Sequence, residues 1–291
     1  MKNVIMPDSA PAGEKRSRNW RMMQRSPMLC AGAGIGAVVL LVALFSPWLV
    51  LNDPLLIQMS ERLQSPSLTY PLGTDHLGRC IFSRLMAGTS ATLGLSLLAS
   101  FIVVAIGVPV GLIAGFASRR ADAFLMRLAD GAGALPEFLL AIAVAGFLGP
   151  GLTNVIIAIA AVKWIGYARL VRGIVLTERN KDYILASIVS GSGKWTIVRL
   201  HLLRQVYSPA AIMAAADVGK TILLISALSY LGLGAQPPSP EWGAMLSDGR
   251  PYFQTAPELM VYPGLCILIV VLACNLLSDG LRDALDIRSR S

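Results

Sequence analysis

The sequence predicts an all-α integral membrane protein with six spanning helices, and three observations lead there. Of 291 residues, 55% are hydrophobic and only 14% charged, with a mean hydropathy of +0.63. Soluble domains spend about a quarter of their residues on Asp, Glu, Lys and Arg. Charge-poor apolar runs long enough to cross a bilayer recur along the chain; crossing takes about 20 residues, because lipid offers no water to an open backbone. Lys and Arg gather in alternate gaps between those runs. A soluble enzyme, a disordered chain and a disulfide scaffold are excluded together.

The elements follow in order. Residues 1–28 are a polar, basic head that leads into a first span at 29–50, which carries no charge. That span is longer than a signal-peptide core and lacks a small-residue cleavage site, so it reads as an uncleaved anchor. Residues 51–91 form an outer loop, and a membrane core runs from 92 to 284. Its first span, the second of the chain, is 92–117. The run 131–162 has one charge, Glu137, and Gly149-Pro150-Gly151 breaks it into spans three and four joined by a tight turn. Spans five and six are 207–231 and 259–277, and 285–291 is a tail.

Orientation follows from the basic residues. Nineteen Lys and Arg lie in the head (Lys2, Lys15, Arg16, Arg18, Arg21, Arg25), the gaps around 119–127 and 169–206, and the tail with Arg282, Arg288 and Arg290. Four lie on the other side: Arg62, Arg79, Arg84 and Arg250. The positive-inside rule therefore puts both termini in the cytoplasm. The net charge of +8 becomes a topology signal, and nucleic acid drops out as a partner. Cys30, Cys266 and Cys274 sit in apolar runs, so Cys80 alone is expected to be exposed; the spacing suits neither a metal site nor a disulfide framework.

Chemistry-bearing patterns are few. Residues 214–221 end in Gly219-Lys220-Thr221 like a relaxed phosphate loop, but alanines stand where the loop needs glycine, and the stretch lies inside an apolar helix. His76 and His201 fall on opposite sides of the membrane, which argues against a membrane enzyme. Charges within spans are costly and mark functional candidates. Four occur: Glu137, Lys163, Asp217 and Lys220. Glu137 can pair with Lys163 on the antiparallel neighbour, and Asp217 with Lys220 three residues on. Pairs that lock a bundle and groups that line a pathway both remain open. Gly107, Gly111 and Gly115 make a small-residue stripe where another helix can approach closely.

The inner segment 169–206 carries the most information. Residues 182–191 read as a short amphipathic helix stopped by glycine, and Lys194 opens a second helix leading into span five. A solvated connector would not keep Ile184, Leu185, Ile188 and Val189; they predict an apolar face docked in a partner's groove.

At these residues the chain resembles a permease subunit of an ATP-binding-cassette importer, in particular the second permease of the dipeptide, oligopeptide and nickel group. The resemblance rests on Leu72-Gly73-Thr74-Asp75-His76-Leu77-Gly78-Arg79, Leu228-Ser229-Tyr230-Leu231-Gly232-Leu233-Gly234, Gln236-Pro237-Pro238 with Glu241-Trp242-Gly243, and Asn275-Leu276-Leu277-Ser278-Asp279-Gly280. The family's coupling motif is matched at Leu185-Ala186-Ser187 and Gly191, with Ser187 for its second Ala and Arg204 where Pro is common. Cys80 stands where the outer motif commonly has Asp. The resemblance implies a type I importer permease fold in a bacterial inner membrane. It also implies a second, similar permease that shares the pathway, two cytoplasmic ATPases that hold the ATP and Mg, an extracytoplasmic substrate-binding protein, and no cofactor on this chain. Leu185, Ala186, Ser187, Gly191 and Lys194 then form the coupling knob. The pattern at 148–160 and 186–191 leans towards nickel, moving as a small chelate, with a peptide as the alternative. A stand-alone secondary transporter would show inverted repeats with broken helices, and no such repeat is evident.

Overall fold

The computed structural model describes residues 27–286. The head's six basic residues and the tail's Arg288 and Arg290 lie outside the described residues. Within them the chain is helical: α1 Pro27–Leu49, α2 Ile81–Phe116, α3 Arg119–Gly133, α4 Glu137–Leu148, α5 Leu152–Glu178, α6 Asp182–Val189, α7 Lys194–Ile197, α8 Leu203–Tyr230, α9 Trp242–Gly249 and α10 Glu258–Asp286. Five helical stretches are long and apolar enough to cross a membrane, and α3 with α4 makes a sixth if that bent pair counts as one. Large apolar side chains such as Leu44, Phe101, Leu268 and Leu272 remain exposed on these helices, as a lipid-facing surface requires.

The third span differs from expectation. The breaker at 149–151 is a turn, with Gly149 and Gly151 at φ +86° and +145°. The helix before it, α4, has only 12 residues, and α3 joins it at 90°. Pro136 is the cause: it precedes the first residue of α4 and cannot continue a hydrogen-bonded helix from α3. Glu137 therefore opens a helix, where the N-terminal dipole favours a carboxylate. Two Arg–Asp pairs tie α3 to α5: Arg172 holds Asp122 through two nitrogens, and Arg169 reaches Asp130 at 2.8 Å.

The glycine stripe on α2 meets α5. A Cβ added to Gly107, Gly111 or Gly115 would lie 2.5, 2.6 and 2.7 Å from the Cβ atoms of Tyr167, Val171 and Val175. Only hydrogen fits there, so the two backbones approach as closely as small-residue helix pairs do. Beside this seam Ala99, Val103, Ala141, Ala145, Ile159 and Leu228 form one core, and Val171 and Val175 of the seam itself join Ile184, Ile197 and Leu202 in another.

The two segments at 51–80 and 232–257 fold onto the helix ends. Helix α2 begins at Ile81, within the stretch read as loop, and its 36 residues extend about 54 Å, well beyond a hydrocarbon core of about 30 Å. Its first turn carries Arg84, buried with Arg79 against Asp75 and Asp248: Arg79 reaches the two carboxylates at 2.6 and 3.2 Å, and Arg84 at 3.6 and 3.7 Å. Arg84 also donates to the carbonyls of Pro54 and Pro238, joining both segments. Beside them His76 stacks on Tyr252, and partial burial lowers its pKa despite the neighbouring Asp75 and Asp248. Glu241 is fully buried and caps α9, accepting N–H groups of Gly243 and Ala244 at 2.9 and 3.0 Å. Burial pushes its carboxyl pKa up, and these bonds pull it back. The same folding corrects the expectation for cysteine. Cys80 is buried because the 74–80 turn closes over it, whereas Cys30 is exposed on α1.

The packing of the stripe is testable. Gly111→Val should destabilise the purified protein in detergent by the about 1–3 kcal/mol typical of overpacking, seen as a lower thermal midpoint. Gly94→Ala, whose Cβ would meet nothing within 4 Å, should leave it unchanged or slightly raised. Equal losses at the two positions would contradict the seam.

Candidate functional site

Lys163 is the residue around which the site is built. It lies on α5, a helix 27 residues long, and its side chain is only 4% exposed. An ammonium in that position requires a counter-charge. Asp217, halfway along α8, provides it at 2.6 Å. Tyr167, one turn further along α5, donates its hydroxyl to the other oxygen of Asp217 at 3.4 Å. Glu137 approaches Lys163 from α4 at 3.6 Å, with its side chain 59% exposed. One lysine thus links three helices, closely to α8 and loosely to α4.

These side chains border an open groove of about 320 Å³. Its wall also includes Leu135, Gly166, Met213, Arg169 and Lys220. The pairing differs from the expected i, i+3 contact on α8. Asp217 points into the bundle and is taken by Lys163, while Lys220 is exposed on the groove wall and forms no ion pair among the described residues. Burial decides this: the buried carboxylate gains more from a buried cation than from a solvated one. Residues 214–221 lie within continuous α8, so no loop is present to cradle phosphate.

The second cluster is the knob at residues 182–202. Helix α6 ends at Val189, Gly191 turns the chain at φ +79°, and Lys194 opens α7. Five residues of π-helix, 198–202, then lead into α8. Ile184 anchors the knob in the core, while Leu185, Ile188, Val189 and Trp195 are exposed. Ala186, Gly191 and Lys194 are exposed beside them. Ser187 donates to the Tyr183 carbonyl at 3.0 Å and lies 3.1 Å from Nε2 of His201, which holds α6 against the stem of α8. Tyr183 donates to Glu178, and Lys181 meets the same carboxylate at 2.6 Å. Burial, followed by that bond, raises the Tyr183 pKa, so its hydroxyl keeps its proton.

Sequence reasoning found the four span charges but missed Tyr167 and the Arg–Asp pairs that brace α3. It also missed the buried Arg79, Arg84, Asp75 and Asp248 group. The i, i+4 spacing of Asp75 and Arg79, with Arg84 at the edge of a charge-free run, was the available signal.

Residues 107–291 match the model of the binding-protein-dependent transport system inner membrane components. The chain belongs to that family. It is 43% identical over 250 residues to the nickel transport system permease protein NikC of Escherichia coli (strain K12), covering 86% of this chain and 90% of NikC. The di/tripeptide permease DppC of Pseudomonas aeruginosa (strain UCBPP-PA14) is 40% identical over 273 residues, with 92% and 90% covered. The glutathione permease GsiD of Escherichia coli O6:K15:H31 is 41% identical over 268 residues, with 92% and 88% covered. An inward-facing structure of the MetNI methionine ABC transporter shares the fold, with TM-score 0.56 and 20% identity over 69% of this chain and 95% of that one. This permease is thus a multi-pass, non-catalytic importer subunit of the nickel and peptide group.

In this permease, breaking the close contact should cost far more than breaking the loose one. Lys163→Met leaves Asp217 buried and uncompensated and should destabilise the purified protein by about 3–5 kcal/mol. Glu137→Gln, at an exposed position, should cost under about 1 kcal/mol. Denaturant unfolding in detergent measures both, and equal costs would refute the assignment of Asp217 as the main partner.

Proposed function

We propose that this permease forms one half of an ATP-driven import pathway for short peptides. It pairs with a second, similar permease across the face that carries the groove. Both termini lie in the cytoplasm of a bacterial cell whose inner membrane it spans. Two ATPases, which hold the ATP and Mg, receive the knob formed by Leu185, Ala186, Ser187, Gly191 and Lys194. An extracytoplasmic binding protein delivers cargo to the outer face. The exposed Leu185, Ile188, Val189 and Trp195 support the docking, because an apolar helix face seeks a partner's groove. A short helix anchored by Ile184 transmits displacement into α8 better than a floppy loop would.

The observation that carries the cargo assignment is the mixed sign of the groove. Glu137 and Asp217 share its wall with Lys163, Lys220 and Arg169, and none of its described lining residues is His or Cys. Nickel favours imidazole nitrogen and is repelled by ammonium groups, whereas a peptide with free ends carries both charges. The groove therefore suits a peptide better than a bare nickel ion, and we prefer the peptide alternative to the reading in which nickel moves as a small chelate. Relatives named for dipeptide and glutathione transport, more numerous than those named for nickel, support the same choice.

Uptake by cells lacking this subunit tests the reading. Labelled dipeptide uptake should fall to background and nickel uptake should stay at the parental level. Lost nickel uptake with intact dipeptide uptake would overturn it.

A further inference from the structure

We propose that Glu137 and Lys220 form a two-point binding site for a zwitterion, Glu137 taking the terminal ammonium and Lys220 the terminal carboxylate of a short peptide in transit. The proposal rests on the peptide reading above and adds a defined site to it.

Charge accounting around the groove identifies the ligand. Lys163 is neutralised by Asp217 at 2.6 Å, and Arg169 by Asp130 at 2.8 Å. Two charges remain. Glu137 has only the 3.6 Å contact with a lysine already committed elsewhere, and its side chain is 59% exposed. Lys220 is exposed on the groove wall and pairs with no carboxylate among the described residues, although it stands about 26 Å along a 28-residue spanning helix. Ionisable groups at such depth are costly and face water-filled cavities or partners. The residual charges are thus one negative and one positive, on different helices of one groove.

A ligand must complement both. A divalent cation would meet Glu137 but be opposed by Lys220, and a simple anion would meet Lys220 but be opposed by Glu137. A molecule with an ammonium at one end and a carboxylate at the other satisfies the two and carries no net charge into the membrane. The groove's 320 Å³ lies at the lower end of ligand pockets, about 300–1,000 Å³. The wall between the two residues is held by the Lys163–Asp217 pair and the Tyr167 hydroxyl, so the binding groups sit on a fixed frame.

The test uses the assembled transporter with its binding protein and radiolabelled alanyl-alanine, trapped with ATP and vanadate so that cargo is retained in the permeases. Lys220→Met and Glu137→Gln should each reduce retained peptide about ten-fold, the loss expected for one charge-assisted hydrogen bond. Lys220→Arg should restore most of it. Co-elution with the partner subunits shows that the variants assemble. A second measurement needs no variant: in the wild-type complex, alanyl-alanine should slow acylation of Lys220 about ten-fold by peptide mapping, while N-acetyl-alaninamide should not. Unchanged retention in both variants, or no protection of Lys220, in a complex that transports alanyl-alanine overturns the site alone. A wild-type complex that transports no dipeptide overturns the peptide reading with it.

Discussion

The contact between Lys163 and Asp217 is the constraint from which the centre of the molecule follows. A lysine this deeply buried in a chain with so few charges must have a fixed counter-charge, and the nearest one lies on a different helix. That requirement sets the rotation of α5 against α8. It places Tyr167 beside the pair and leaves Lys220, on the same groove wall, exposed and outside the pairing. Glu137 meets the same lysine more loosely from α4. The groove is therefore bounded by one tight junction and one loose one.

Two other constraints set the frame around it. On α2 the glycines at 107, 111 and 115 bring α5 to backbone distance, so the helix that carries Lys163 has a single register. At the start of α2, Arg79 and Arg84 gather Asp75, Asp248 and two loop carbonyls into one buried group. It joins the start of α2 to α9 and makes the segments at 51–80 and 232–257 part of the bundle. The knob presents Leu185, Ile188, Val189 and Trp195 away from the core.

Much of this was legible in the sequence because local physics decides it. The glycine stripe, the turn at 149–151, the short helix ending before Gly191 and the absence of a phosphate loop follow from spacing and breakers. Other features depend on contacts between residues distant in the chain. Pro136 ends one helix as it starts another, but only the packing of α3 on α5, through Asp122 and Asp130, shows that the bend is 90°. Asp217 had a candidate partner three residues away, yet a lysine 54 positions earlier took it, because burial outweighs proximity in sequence. Cys80 was expected at the surface because it lies outside every span; the turn from Thr74 to Cys80 buries it.

The most direct measurement of the central claim is a double-mutant cycle on Lys163 and Asp217, with Lys163→Met, Asp217→Asn and the pair together, read by denaturant unfolding of the purified protein. Residues in one buried ion pair couple by about 0.5–3 kcal/mol. We expect the upper part of that range, with the double variant more stable than Lys163→Met alone. Effects that add to within about 0.5 kcal/mol would show that the two residues act independently and would contradict the account.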